Sequence, residues 1–256
     1  MLGKLIKYDL KSMLKTIVPL WITVIVLSGI FAIKYWGGAT NTMDMGNNTF
    51  DLVLFIVLFS VAVAIVVMNI LFVVQRFWNG LLKEEGYLMF TLPVTTRSLI
   101  MSKALSALII SLGSMLVAML SISIFSFAFV QGAIDVDALS TLWLELKNAL
   151  LLTKASQFAE VGVMIAAGVV SFLAAIYQVY ASMAIGQLSN KNRFLLSFIA
   201  FVGITVVLSM FASVTNMFTM GNSLANSCIS LIVNLITLII FHIITEVLLT
   251  RKLNLE

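Results

Sequence analysis

The stretch from Leu52 to Val74, LVLFIVLFSVAVAIVVMNILFVV, carries no charged residue and is interrupted by only Ser60 and Asn69 among strongly polar side chains. Its apolar residues run on without the alternation of a barrel strand. In hydrocarbon, a helix alone satisfies every backbone N–H and C=O within its own segment. At about 1.5 Å per residue, the stretch is long enough to cross a hydrocarbon layer of ~30 Å.

Five more blocks of this kind lie outward from it: Thr16 to Trp36, Ala104 to Val130, Phe158 to Gly186, Phe194 to Thr215, and Ser227 to Leu249. The expected fold is therefore all-α, a polytopic membrane protein of six transmembrane helices forming one membrane domain over residues 1–256. Composition agrees: 61% of residues are hydrophobic, 10% are charged and the mean hydropathy is +1.13, too few charges for a water-facing shell. Cys228 is the single cysteine, so an intrachain disulfide is excluded. The basic balance, net +4, comes from short runs beside the apolar blocks, which points to a lipid bilayer and not to nucleic acid.

Lysine and arginine set the expected orientation. In a six-span arrangement 12 of the 15 basic residues fall on one side, leaving Lys34, Lys147 and Lys154 opposite. By the positive-inside rule both termini are expected in the cytoplasm. The first block is too long for a signal-peptide core and is read as a retained anchor. Before it, Lys4, Lys7, Lys11 and Lys15 interleave with Leu2, Leu5, Ile6, Met13 and Leu14 at helical spacing. This predicts an amphipathic helix over residues 1–15 at the anionic inner leaflet. On the other side, Leu139 to Lys154 has a helical apolar face with Trp143 as an interfacial anchor.

The longest polar interruption on the inner side runs from Arg76 to Lys103, RFWNGLLKEEGYLMFTLPVTTRSLIMSK. Glu84 and Glu85 precede Gly86 and a short apolar turn from Tyr87 to Phe90, and then Pro93 forbids helix continuation and holds Leu92 extended. A stiff surface helix ending in a fixed turn presents carboxylates and aromatics to the cytoplasm, suited to docking in a groove of a soluble partner.

The order of these residues resembles the signature loop of ABC-2-type permeases, the membrane subunits of one class of ATP-driven exporters: acidic pair, Gly86, apolar residues, Thr91-Leu92-Pro93-Val94, then Ser102-Lys103 opening the third span. The resemblance takes in the basic start, the six spans and the length. It implies that the loop is a coupling helix seated in a cleft of a separate cytoplasmic ABC ATPase, with Glu84, Glu85, Gly86, Tyr87, Thr91, Leu92, Pro93 and Val94 as the contact region. It also implies that residues 1–15 form an elbow helix, that a second identical or related permease completes the pore, and that the complex sits in a bacterial cell membrane. ATP and Mg would be bound by the partner ATPase. The implied cargo is a drug, antimicrobial peptide or lipid-like amphiphile. One departure is the link from Asn216 to Asn226, short and polar where many members carry an apolar re-entrant hairpin.

Other chemistries have weaker footing. No P-loop pattern occurs, so the chain itself is expected to be neither a nucleotide binder nor an enzyme. Ser223 and His242 could suggest an intramembrane serine protease, but on one helix they lie roughly 28 Å apart, where a nucleophile and its base need ~3 Å. Glu84 and Glu85 lack the histidines of a metalloprotease. His242 and Glu246 share a helical face in the last span and form a possible polar pair. A secondary transporter or channel would keep charges or broken helices at mid-depth, and the blocks show neither clearly.

Overall fold

A computed structural model describes residues 2–35, 49–79, 95–131, 144, 147, 155–189, 192–218 and 223–251. Among the described residues the regular structure is entirely helical: α1 (Leu2–Tyr35), α2 (Thr49–Phe77), α3 (Thr96–Gln131), α4 (Ala155–Gly186), α5 (Arg193–Phe218) and α6 (Ser223–Arg251). All 6 are long and apolar enough to cross a bilayer, each matching one expected block, with Trp36 of the first block outside the described residues, which makes this a multi-pass membrane protein. The contact segment Glu84, Glu85, Gly86, Tyr87, Thr91, Leu92, Pro93 and Val94 lies outside the described residues, as does most of the segment from Leu139 to Lys154.

Two boundaries differ from the expected ones. The N-terminal amphipathic stretch is not a separate element: α1 runs unbroken for 34 residues, with Pro19 inside it. At about 1.5 Å per residue α1 is ~50 Å long, so some 20 Å extends beyond a ~30 Å hydrocarbon layer. Proline is tolerated within membrane helices because neighbouring groups take up the freed backbone atoms; separately, the Thr23 hydroxyl makes an i−4 back-bond to the Pro19 carbonyl at 2.8 Å. The second difference is the start of α3, which begins at Thr96, not at Ala104. The Thr95 hydroxyl accepts from the Ser98 amide at 3.4 Å, an N-cap that places Arg97, Ser102 and Lys103 on the helix and not in a loop.

The chain divides into two compact units. One comprises residues 10–70 and 109–153 and is built from the greater part of α1 and α2 and the later part of α3. Its core includes Ile17, Val24, Phe31, Ile65 and Ile110. A polar clasp joins the three helices: Trp21 Nε1 donates to Ser114 Oγ at 3.1 Å, and that hydroxyl donates to Asn69 Oδ1 at 3.2 Å. Such bonds hold membrane helices together where lipid removes the hydrophobic driving force. Close approach is secured by Gly113, where an added β-carbon would lie 2.9 Å from the Trp21 ring.

The other unit comprises residues 1–9, 71–108 and 154–256. Here α4 packs on both α6 and α5. Small side chains recur on the buried side of α4, at Ala167, Ala174, Ala181 and Ala184, and allow close backbone approach. Gly186 ends α4 so near α5 that a β-carbon would lie 1.8 Å from Ser197 Oγ and 2.6 Å from the Arg193 carbonyl. Gln178 Nε2 donates to Thr205 Oγ1 at 2.7 Å between the same helices. The outward side of α5 exposes Phe198, Val202, Val206, Met210 and Val214 at four-residue spacing, a face suited to acyl chains.

Candidate functional site: a buried charge centre at the roots of the loop

The strongest concentration of charge among the described residues lies in the second unit, where the end of α2 and the start of α3 meet the first turns of α1. One exposed side of α1 carries Lys4, Lys7, Lys11 and Lys15 at helical spacing, whereas Asp9, Met13 and Ile17 make a buried stripe on the opposite side. Asp9 is only 6% exposed. An isolated carboxylate so deeply buried would be strongly disfavoured, and it is not isolated. Lys103 Nζ, on a residue 2% exposed, lies 2.9 Å from Asp9 Oδ1. Arg76 Nη1 lies 3.4 Å from the same oxygen, and Arg76 Nη2 donates to the Asp9 backbone carbonyl at 3.4 Å.

This arrangement is specific in what it joins. Arg76 stands at the last turn of α2 and Lys103 in the second turn of α3, so they are the two roots of the segment that contains Glu84 to Val94. One carboxylate on α1 therefore ties both roots. Among the described residues two cations face one anion, and the second carboxylate oxygen, Asp9 Oδ2, has no hydrogen-bond partner.

An aromatic row continues from the same place. The Phe77 ring stacks on Tyr180 of α4 with centroids 4.4 Å apart and planes inclined by 18°. Tyr177 stands edge-on to Tyr180 at 6.0 Å and edge-on to His242 of α6 at 5.3 Å. His242 Nε2 is 4.0 Å from Glu246 Oε2, and the other oxygen of Glu246 accepts from Arg97 Nε at 2.5 Å. The pair foreseen in the last span thus has a third member on α3, so α6 is also tied to the start of α3. With Arg97 largely exposed, this outer pair is worth far less than the buried one.

Of the residues singled out from sequence, His242 and Glu246 are brought together, and Lys4, Lys7, Lys11 and Lys15 share an exposed side of α1. Asp9, Arg76, Lys103, Tyr177 and Tyr180 were not foreseen as a cluster. The available signal was Asp9 itself, an acid one helical turn before Met13 in a run otherwise read through its lysines. Among the described residues no three His, Cys, Asp or Glu side chains gather. In comparisons with known proteins, no family model, no curated protein and no solved structure matches this chain.

Proposed function

We propose that the chain is the membrane-spanning permease subunit of an ATP-driven exporter of the ABC-2 type. Two such subunits, identical or related, form the translocation path, and separate cytoplasmic ATPases bind ATP and Mg and drive it. The observation that carries this reading is the double tie of the Glu84 to Val94 segment: Arg76 on one root and Lys103 on the other converge on Asp9. A loop that only had to connect two spans would need no such anchoring. A loop that receives force from a soluble partner must pass it to several helices, and here its roots are joined to α1 through Asp9, to α4 through Phe77, and to α6 through Arg97.

The reading also uses the distribution of charge. Both termini and the segment with Glu84 and Glu85 lie in the cytoplasm by the positive-inside rule, in a bacterial plasma membrane, with the lysine stripe of α1 toward anionic headgroups. Largely uncharged apolar helices suit an amphiphilic or peptidic cargo: a drug, an antimicrobial peptide or a lipid.

The test is a charge reversal. Glu84→Lys with Glu85→Lys in the full-length chain is expected to abolish co-purification of an ATPase subunit while leaving membrane insertion unchanged. An ATPase retained at the unsubstituted level, with transport intact, contradicts the assignment of this segment.

A further inference from the structure

Much of the surface that the spans turn outward is apolar. On α2, Ile56, Phe59, Val63, Val66 and Ile70 recur at helical spacing and are all exposed, a row suited to acyl chains. The surface shared by α4 and α5 differs. Ser171 and Ala175 of α4 and Thr205, Ser209 and Ser213 of α5 are exposed, and the partly exposed Gln178 joins the two helices through its bond to Thr205. The three hydroxyls of α5 stand at four-residue spacing beside the apolar row that begins at Phe198. Each donates to a carbonyl of its own helix: Thr205 to Phe201 at 2.7 Å, Ser209 to Val206 at 2.8 Å and Ser213 to Ser209 at 2.9 Å. Lipid can therefore cover them as they stand.

Gln178 is in a different position. Because the one hydroxyl hydrogen of Thr205 goes to the Phe201 carbonyl, Thr205 can only accept from Gln178, which fixes the carboxamide with its nitrogen toward α5. One N–H is used in that bond, and the other N–H and the carbonyl oxygen have no partner among the described residues. At about 1.5 Å per residue, Gln178 lies roughly 12 Å along α4 from its end at Gly186, and Thr205 roughly 18 Å along α5 from Arg193. At that depth acyl chains offer the amide neither a donor nor an acceptor, and a soluble protein does not reach it.

We propose that this face of α4 and α5 is where a second copy of the chain docks, with the two Gln178 carboxamides meeting across a twofold axis. A twofold interface sets the same patch of both subunits against itself, so the patch must be self-complementary. A carboxamide with one donor and one acceptor left open has that property, because each copy offers the other what it lacks. Close approach is open as well: Ala175 lies about one turn from Gln178, and at Gly168 an added β-carbon would meet nothing within 4 Å. Membrane helices associate through small side chains and interhelical hydrogen bonds of this kind. The proposal rests on the permease reading for its demand for a second subunit, and it commits to an identical one.

Cross-linking in the membrane tests the face with Gln178 intact. In the full-length chain with Cys228→Ser, Ala175→Cys is expected to give a covalent dimer with a short bifunctional thiol reagent, and Val63→Cys, on the apolar row of α2, is not. Equal yields at the two positions show random collision, and no dimer at Ala175→Cys leaves the face to lipid or cargo; either result overturns the proposal. The role of the amide is read from energy transfer between labelled chains in lipid vesicles as lipid is added. Gln178→Leu should weaken association by roughly tenfold, as loss of an interhelical hydrogen bond in a membrane does. Thr205→Val removes the same internal bond but keeps the carboxamide, so it should weaken association far less. Equal losses show that Gln178 only braces α5, and overturn the twofold pair. An ATPase that co-purifies with a chain giving no dimer at Ala175→Cys overturns this interface and leaves the permease reading standing. A dimer that captures no ATPase contradicts the permease reading and leaves the interface standing.

Discussion

Lys103 Nζ and Asp9 Oδ1 are 2.9 Å apart although 94 residues separate them in sequence, and neither side chain has meaningful access to solvent. Each depends on the other for burial, but unequally, because Asp9 has a second cation in Arg76 and, among the described residues, Lys103 has no second anion. Removal of the carboxylate therefore leaves the buried Lys103 ammonium and the partly exposed Arg76 guanidinium without their anion, whereas removal of the ammonium leaves a carboxylate that is still paired.

The expected order of stability follows. Asp9→Ala should destabilise by about 3 kcal/mol or more, as loss of one partner from a buried pair does, and Lys103→Met by only about 1 kcal/mol. Asp9→Ala combined with Lys103→Met should recover part of the first loss. Unfolding midpoints in detergent micelles give this order directly, and equal losses for the two single variants contradict the asymmetry.

In the three-helix unit the critical spacing is at Gly113, where a methyl group would meet Trp21 Cη2 at 2.9 Å. Gly113→Ala should cost about 1 kcal/mol, because the indole must yield, and Gly113→Leu about 3 kcal/mol. Ser114→Ala removes the acceptor of the Trp21 N–H and should cost about 0.6 to 1.5 kcal/mol, the range of interhelical hydrogen bonds in membranes. Stability measured with and without Ser114 in the Gly113→Ala background tests whether the two act through the same indole.

At Gly186 the obstruction is backbone as well as side chain. Gly186→Ala should be more damaging than Gly113→Ala, by about 2 kcal/mol or more, since the Arg193 carbonyl cannot rotate away as an indole can. Ser197→Ala in the same chain clears the hydroxyl but not the carbonyl. It should therefore restore only part of the loss, and full restoration would show that the hydroxyl alone sets the limit.

Orientation is open to direct labelling. In a Cys228→Ser background, a cysteine at Lys4 is expected to react with a membrane-impermeant maleimide only after the cytoplasmic face is exposed, and a cysteine at Lys154 in sealed cells. The reverse pattern contradicts the positive-inside assignment.

Much of this was legible in the residues themselves. A block such as Leu52 to Val74 permits only a helix in lipid, so the number and order of spans follow from solvation alone. The four-residue spacing of His242 and Glu246 likewise guarantees proximity on a helix. What stayed hidden depended on which distant elements meet. The partners of Asp9 lie on α2 and α3, Tyr180 finds Phe77, and Glu246 finds Arg97, none at a spacing that periodicity can report. Boundaries also slipped where polarity misled: Arg97 to Lys103 looked like loop because it is charged and hydroxylated, yet Thr95 caps a helix that buries Ser102 and Lys103. The lysines of α1 suggested a separate surface helix, but the same turns bury Asp9 and Met13 and continue without interruption into the span.

The most direct measurement is ATP hydrolysis by whatever accompanies the tagged full-length chain when it is extracted in mild detergent from the membranes of the cells that make it. The account predicts a stoichiometric soluble subunit with vanadate-sensitive ATPase activity, lost together with that subunit when Glu84 and Glu85 are both replaced by lysine. A chain that purifies alone, without ATPase activity, and moves its cargo down or against an ion gradient contradicts it.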